Sequence, residues 1–491
     1  MNRKFFIATC LLAASMPWLF AQTAVTISTE TRNAVTRIES SALIDGRAYE
    51  YDRQLADGIG ARLTGSANYE KAVQWATELF RSLGLENVHT ESFSMPNVWE
   101  PQVQATGRIL APREQLLHIA SFGWSPSTSE DGVHGTVYYI KDLTATDKLK
   151  ADGENIRGKI ALIDRNSFGN GPVMRWGRVL GGFQVLKDLG AQAVLFGGST
   201  SNEVESMMPV SVGGQLCPLP AANLGQEDFA LLRRLSEKGP VAIEFSFKNR
   251  IRGPIEVPNV VAEIRGSEKP EQWVLVGAHL DSWHLGTGAQ DNGTGVAEVI
   301  EAARAIKSVG RAPRHSIRFV LFGGEEQIDV GSQAYAKMHA NELPNCIAVL
   351  VSDSGDETAH GWLTFGREDV DRFLQPLEPL LAGLGGDGVS SDADHIFDTD
   401  HAPFLLQGIP TLVLWTDFSK YMTLHHKPGD TFDKVDKRTL TQGAAIVAAT
   451  VYAVANEETF AGRLTLEQTE ELLKKAKKYE EYKDIKEHGL L

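Results

Sequence analysis

Between Trp273 and Asp353 three runs of strand-forming residues each stop at a histidine or an acid, and this pattern limits the possible folds more than any other feature of the chain. The first run, Trp273-Val274-Leu275-Val276-Gly277-Ala278, is apolar without strict alternation, as expected of a strand covered on both faces in a parallel sheet. It ends at His279-Leu280-Asp281. A loop with Gly286 and Gly288 leads to Asp291-Asn292-Gly293-Thr294-Gly295. After it Val296, Val299, Ile300, Ala303 and Ile306 recur at helical spacing, so Asp291 sits at a helix start. A second run, 317–322, ends at Gly323-Gly324-Glu325-Glu326; a third, 347–351, ends at Ser352-Asp353; and 410–415 leads into a loop carrying His425-His426. Strands alternating with helices predict an α/β domain, and in open sheets of that class ligands bind outside the carboxyl ends of the strands. The acids and imidazoles are therefore expected to meet at one edge.

Groups of this kind repel one another or stay unpaired unless a cation holds them. Zinc takes both carboxylate oxygen and imidazole nitrogen, and a catalytic zinc keeps one position open for water. Two such ions roughly 3.5–4 Å apart can share one carboxylate and one water. In a His-x-Asp pair the carboxylate can orient the imidazole, and in a Glu-Glu doublet one side chain can bind metal while the other moves a proton. Taken singly, the pair is an ordinary surface feature, the doublet a solvated helix start and Asp353 a helix cap. Their joint occurrence at successive strand ends points to a metal site.

The motifs HLDSWHLGTGAQDNGTG, FGGEEQIDVGS, VSDSG and KYMTLHHKPGDT, in that order, resemble those of the co-catalytic zinc aminopeptidases, and among them the carboxypeptidase Q group. The resemblance covers nearly the whole chain beyond its leader. It implies a zinc exopeptidase fold, with a mixed, mostly parallel sheet flanked by helices, and two zinc ions per chain. Carried over residue by residue, it makes Asp291 the bridging ligand. His279 and Asp353 complete one site, Glu326 and His426 the other; Glu325 is the general base and Asp281 the partner behind His279. The family spacing His-x-x-x-Asp selects His426, through Asp430, over His425. A cis peptide between Asp291 and Asn292 is also implied. His284 and Asn292 stand where relatives carry acids, and since neither is a ligand these departures bear on substrate preference. The implied activity is hydrolysis of short unblocked peptides, dipeptides above all. Its rivals are an aminopeptidase acting on longer peptides, a glutaminyl cyclase with one zinc, and a non-catalytic receptor on the same fold. The intact ligand set argues against the last two. Tyr421 is a candidate hydrogen-bond donor to a developing oxyanion. The stretch 398–404 either shapes the pocket or caps the helix that follows it.

The chain opens Met1-Asn2-Arg3-Lys4, continues apolar from Phe5 to Phe20 and reaches Ala21, the layout of a signal peptide over residues 1–21. Interrupted by Pro17, that stretch is too short to span a membrane comfortably. The protein is thus expected to be secreted or periplasmic. Cys217 and Cys346 remain, and export permits a disulfide between them, but stability must come from burial. With 491 residues and 42% apolar composition, the chain has material for more than one domain. A formal net charge of -15 argues against nucleic acid or an anionic membrane surface as partner.

Residues 22–110 are expected to open the peptidase domain, with Ala72, Val73, Trp75, Ala76, Leu79 and Phe80 forming one helix face that ends at Gly84. Residues 111–253 carry short β-like runs at 135–140, 158–164 and 190–197 and a helix-like stretch near 183–189. This segment resembles a protease-associated domain, a β-rich insert that serves either as lid or wall of the cleft or as a passive spacer. Residues 254–456 hold the metal motifs. Residues 457–491 predict a C-terminal amphipathic helix that packs on the body or on a second subunit, which leaves a homodimer open.

Overall fold

A computed structural model describes residues 26–165, 172–197 and 214–487; the expected signal peptide lies outside the described residues. The first of two eight-stranded sheets runs in the order Glu86–Met95, Ile255–Ile264, His315–Phe322, Lys269–His279, Cys346–Val351, Thr411–Trp415, Gly361–Leu363, Gly388–Ser390. Lys269–His279 pairs in parallel with both His315–Phe322 and Cys346–Val351, and the latter pairs in parallel with Thr411–Trp415. Two antiparallel strands close one side, so the sheet is mixed with a parallel centre, as expected.

The central strands lack polar alternation because both faces are covered. Val274, Val276 and Ala278 pack in one core with Val296, Val299 and Ile300 of the helix Thr294–Ser308 and with Ala445 and Ala448 of the helix Lys437–Asn456. Leu275 points the other way, into a core with Val320, Phe322, Val349, Val351 and Phe404. Parallel register sets Ala278 beside Leu321 and His279 beside Phe322, with Gly277 beside Val351, so the three strands end level with one another.

The second sheet also has eight strands, in the order Gln115–Leu116, Val98–Ala111, Ala242–Arg252, Val133–Ile140, Ile160–Ile163, Ala193–Gly197, Ala221–Leu224, Ile119–Ser121. Two features differ from expectation. The sheet begins at Val98, well before residue 111, because the long strand Val98–Ala111 pairs with Ala242–Arg252 and shows too little apolar residue on its exposed half to be read as a strand. Four of its strands are parallel neighbours, covered by the helices Pro172–Asp188 and Gln226–Ser236, so this unit has α/β layers of its own.

The C-terminal segment forms two helices, Leu466–Lys475 and Tyr479–Glu487, where one was expected. The break lies at Lys477, whose φ of 60° is left-handed; the amide of Lys478 donates back to the carbonyl of Leu473, which ends the first helix. Leu473, Tyr482 and Ile485 are buried on the body, and the last helix touches the helix Pro172–Asp188 of the second sheet's layer. Cys217 and Cys346 are both free thiols, buried in separate cores. Among the described residues no helix is long and apolar enough to cross a membrane.

Candidate metal centre

Each expected ligand lies at or just beyond the carboxyl end of a strand in the first sheet. His279 closes Lys269–His279; Glu325 and Glu326 open a single turn after His315–Phe322; Asp353 follows Cys346–Val351. His426 comes after the short helix Ser419–Leu424 that succeeds Thr411–Trp415. Asp291 precedes the helix Thr294–Ser308, and its peptide bond to Asn292 is cis.

Asp291 is the centre of the cluster. His279 Nε2 lies 3.2 Å from its Oδ1, and His426 Nε2 lies 3.2 Å from its Oδ2. His279 Nε2 is also 3.5 Å from Asp353 Oδ1 and 3.9 Å from Glu325 Oε2, while His426 Nε2 is 2.9 Å from Glu326 Oε2. His425 stacks on His426 with ring centroids 3.6 Å apart, and its Nε2 is 3.7 Å from Asp291 Oδ2. His426 therefore faces two carboxylates at closer range than His425 faces one.

Three carboxylates and two imidazoles gathered in this way suit a cation of the zinc type, and among the described residues no lysine or arginine takes that place. The buried Arg62 is committed elsewhere: its guanidinium donates to the carbonyls of Leu280 (2.6 Å), Thr287 (2.9 Å) and Gly288 (2.8 Å). The fields the groups exert on one another are large. Burial pushes Glu326 up to about 7, against the pull of His426. Burial also raises Glu325 well above the usual carboxylate range despite His279, helped by Asp329 and Asp353. Burial opposes charge on His426, yet Glu326 and Asp291 overcome it and lift the imidazole to about 10. Such opposed shifts in one cleft mark a functional site.

Several supporting contacts were not legible beforehand, although Asp430 and His284 were themselves singled out in the sequence. Asp430 accepts from the amides of Gln290 (2.6 Å) and Asp291 (3.2 Å), so the acid of the His-x-x-x-Asp spacing holds the bridging residue's backbone. Trp283 donates its amide to Glu326 Oε1 at 3.1 Å and sets its ring 5.8 Å from that of His426. Around Trp283 gather Leu63, Trp99 and Trp124, so two residues of the second sheet's layer reach the metal loop. His284 packs edge-on to Trp99 at 5.1 Å, and burial lowers its imidazole to about 4. Behind Asp353, the buried Glu298 accepts from the Ser352 hydroxyl; burial pushes it up to about 8.

Three expectations take a different form. Asp281 lies behind His279, but its main-chain oxygen (3.1 Å from Nδ1) is nearer than its carboxylate (3.6 Å). Tyr421 Oη donates to Asp353 Oδ1 at 3.3 Å, so its hydroxyl is turned to a proposed ligand instead of open space. In the stretch 398–404, no side chain caps the four-residue helix Ala402–Leu405; Asp400 is buried near the centre, where burial pushes it up to about 7 against the pull of His279.

Carboxylate and imidazole donors gathered at the carboxyl ends of parallel strands define a class: an α/β protein with a candidate metal centre. A family model described as "Peptidase family M28" matches residues 259–451. Carboxypeptidase Q of Bos taurus is 31% identical over 424 residues, covering 84% of this chain and 86% of the relative. Aminopeptidase YwaD of Bacillus subtilis (strain 168) is 27% identical, covering 84% and 85%. A solved peptidase M28 precursor of Shewanella amazonensis SB2B superposes with a TM-score of 0.76 at 28% identity, over 89% of this chain and 99% of that one. BSAP, a zinc aminopeptidase of Bacillus subtilis, shares the fold at a TM-score of 0.62 and 23% identity, over 85% and 97%. The chain belongs to peptidase family M28.

Proposed function

We propose that this protein is an exported exopeptidase that uses two zinc ions to hydrolyse short unblocked peptides, dipeptides above all. The observation that carries the two-ion reading is the pair of 3.2 Å approaches of His279 and His426 to opposite oxygens of Asp291. On this reading His279, Asp353 and the shared Asp291 hold one ion, and Glu326, His426 and Asp291 the other. When bound, the ions lower the pKa of the attacking water and polarise the scissile carbonyl. Glu325 takes the water's proton and passes it to the leaving amine. Its place beside the cluster suits that exchange: Glu325 Oε2 lies 3.9 Å from His279 Nε2, within reach of a water held between the ligands. The carboxylates left around the site are the best electrostatic partners for a substrate's free ammonium. Residues 111–253 act as a wall: Trp124 packs against Trp283 beside the cluster, which supports short substrates.

The test combines elemental analysis with turnover of Ala- and Gly-containing dipeptides, their acetylated forms and long peptides. Two zinc per chain, loss of both in Asp291→Ala, and cleavage restricted to free dipeptides are expected. Full activity with one ion refutes the two-ion assignment. Efficient cleavage of acetylated dipeptides, or internal fragments from long peptides, refutes the exopeptidase reading.

A further inference from the structure

The buried hydroxyl of Thr64 lies between the two halves of the centre. The amide of Gly324 donates to Thr64 Oγ1 at 2.8 Å, and Thr64 Oγ1 donates to Asp281 Oδ2 at 2.7 Å. The polarity of this chain is fixed. A backbone N–H can only donate, so the hydroxyl accepts from Gly324 and must spend its single proton on Asp281. Asp281 is thereby held as an acceptor at Oδ2, with Oδ1 left beside His279 Nδ1. The same ring nitrogen faces the main-chain oxygen of Asp281. Both neighbours lie on the Nδ1 side of the ring, so Nε2 is the nitrogen presented to Asp291 and Asp353.

At its other end the hydroxyl holds the amide before Glu325. Gly324 is left-handed, with φ 74°, and the direction in which Glu325 leaves the strand depends on that peptide plane. Thr64 itself is rigidly held. Arg62 anchors the loop 280–288, the Arg252 guanidinium donates to the carbonyl of Gly65 at 2.8 Å, and Ser66 caps the helix Ala67–Ser82 through the amide of Tyr69 at 3.1 Å.

We propose that Thr64 is a positioning residue of this peptidase: through one hydroxyl it fixes both the Asp281 residue that orients His279 and the peptide that aims Glu325. The proposal rests on the reading of His279 as a zinc ligand and Glu325 as the base. Its signature is that removing the hydroxyl, while keeping shape, weakens zinc and turnover together, and that serine restores both.

The experiment compares wild type, T64V and T64S, with T64A in place of T64V should the latter not fold. Zinc affinity is read by competition with a chromophoric chelator and turnover by dipeptide hydrolysis, with far-UV circular dichroism and thermal melting as the check on folding. T64V is expected to hold one of its zinc ions about 10–100-fold more weakly, the usual scale for lost outer partners, and to lose kcat with KM little changed. T64S should stay within about threefold of wild type on both. Wild-type zinc affinity and kcat in T64V overturn the proposal, and so does a T64S as impaired as T64V, which would assign the effect to packing. Wild-type protein that takes up no zinc would overturn the site reading itself, and the proposal with it, before any variant is measured.

Discussion

Replacing Glu298 by glutamine should change how stability depends on pH, and the structure fixes both sign and size. The carboxyl is buried in the helix Thr294–Ser308 and accepts from the Ser352 hydroxyl; Gly443 on the neighbouring helix leaves the room it occupies. Burial lifts its pKa from 4.5 to about 8. Between those values the folded protein keeps the proton and the unfolded chain has lost it, so unfolding releases a proton and stability falls as pH rises. A gap of about 3.5 pH units at about 1.4 kcal/mol each sets a ceiling near 5 kcal/mol, and relaxation with water penetration should leave about 2–4 kcal/mol. Glutamine keeps the shape and one acceptor but cannot ionise. Urea unfolding of the zinc-free protein at pH 5 to 8.5, with chelator present so that metal linkage does not enter, reads the difference between wild type and Glu298→Gln. That difference should move in favour of the variant as pH rises. A difference constant to within about 0.5 kcal/mol across the range would refute the reasoning.

The neighbouring glutamates should separate cleanly: Glu325→Gln should retain its zinc by elemental analysis while turnover falls about 10²–10⁴-fold, whereas Glu326→Gln should lose one ion. Arg62→Met should leave three loop carbonyls without their charged donor and Asp52 without its nearest balancing charge, costing about 3–6 kcal/mol in urea unfolding. A loss below about 1 kcal/mol would show that water replaces the guanidinium.

What the sequence made legible follows from where chemistry meets periodicity. His279, Asp291, Glu325, Glu326 and Asp353 could be placed because each interrupts or ends a run whose apolar character already defines a strand or helix. His426 could be preferred over His425 only by resemblance, and the distances favour it: its Nε2 lies 2.9 Å from Glu326 and 3.2 Å from Asp291, against 3.7 Å from Asp291 for His425. Arg62 and Thr64 stayed hidden, since their partners lie more than 200 residues away and nothing local announces a buried hydroxyl with two bonds. Asp281 showed a different limit: spacing located the residue behind His279 but could not say whether its carbonyl or its carboxylate stands closer. The start of the second sheet was missed because edge positions such as Gln102, Gln104 and Thr106 carry no apolar signal. In the C-terminal segment, the near-helical spacing of Leu466, Leu472, Leu473, Ala476 and Tyr479 ran through a break that one left-handed lysine introduces.

The strands Glu86–Met95 and Ile255–Ile264 are antiparallel neighbours whose last pair is Met95 with Ile255, and Val98 stands opposite Arg252 across the next sheet. Topologically the peptidase sheet therefore sees an ordinary β-hairpin, and the whole second layer hangs from its tip. Because the entropy of closing a loop grows only logarithmically with its length, a hairpin of this kind tolerates a folded body where a few turn residues would do. The seam at residues 96–97 and 253–254 is thus a natural cut point, at which a short turn could replace the layer without disturbing the register of the strands that carry the site.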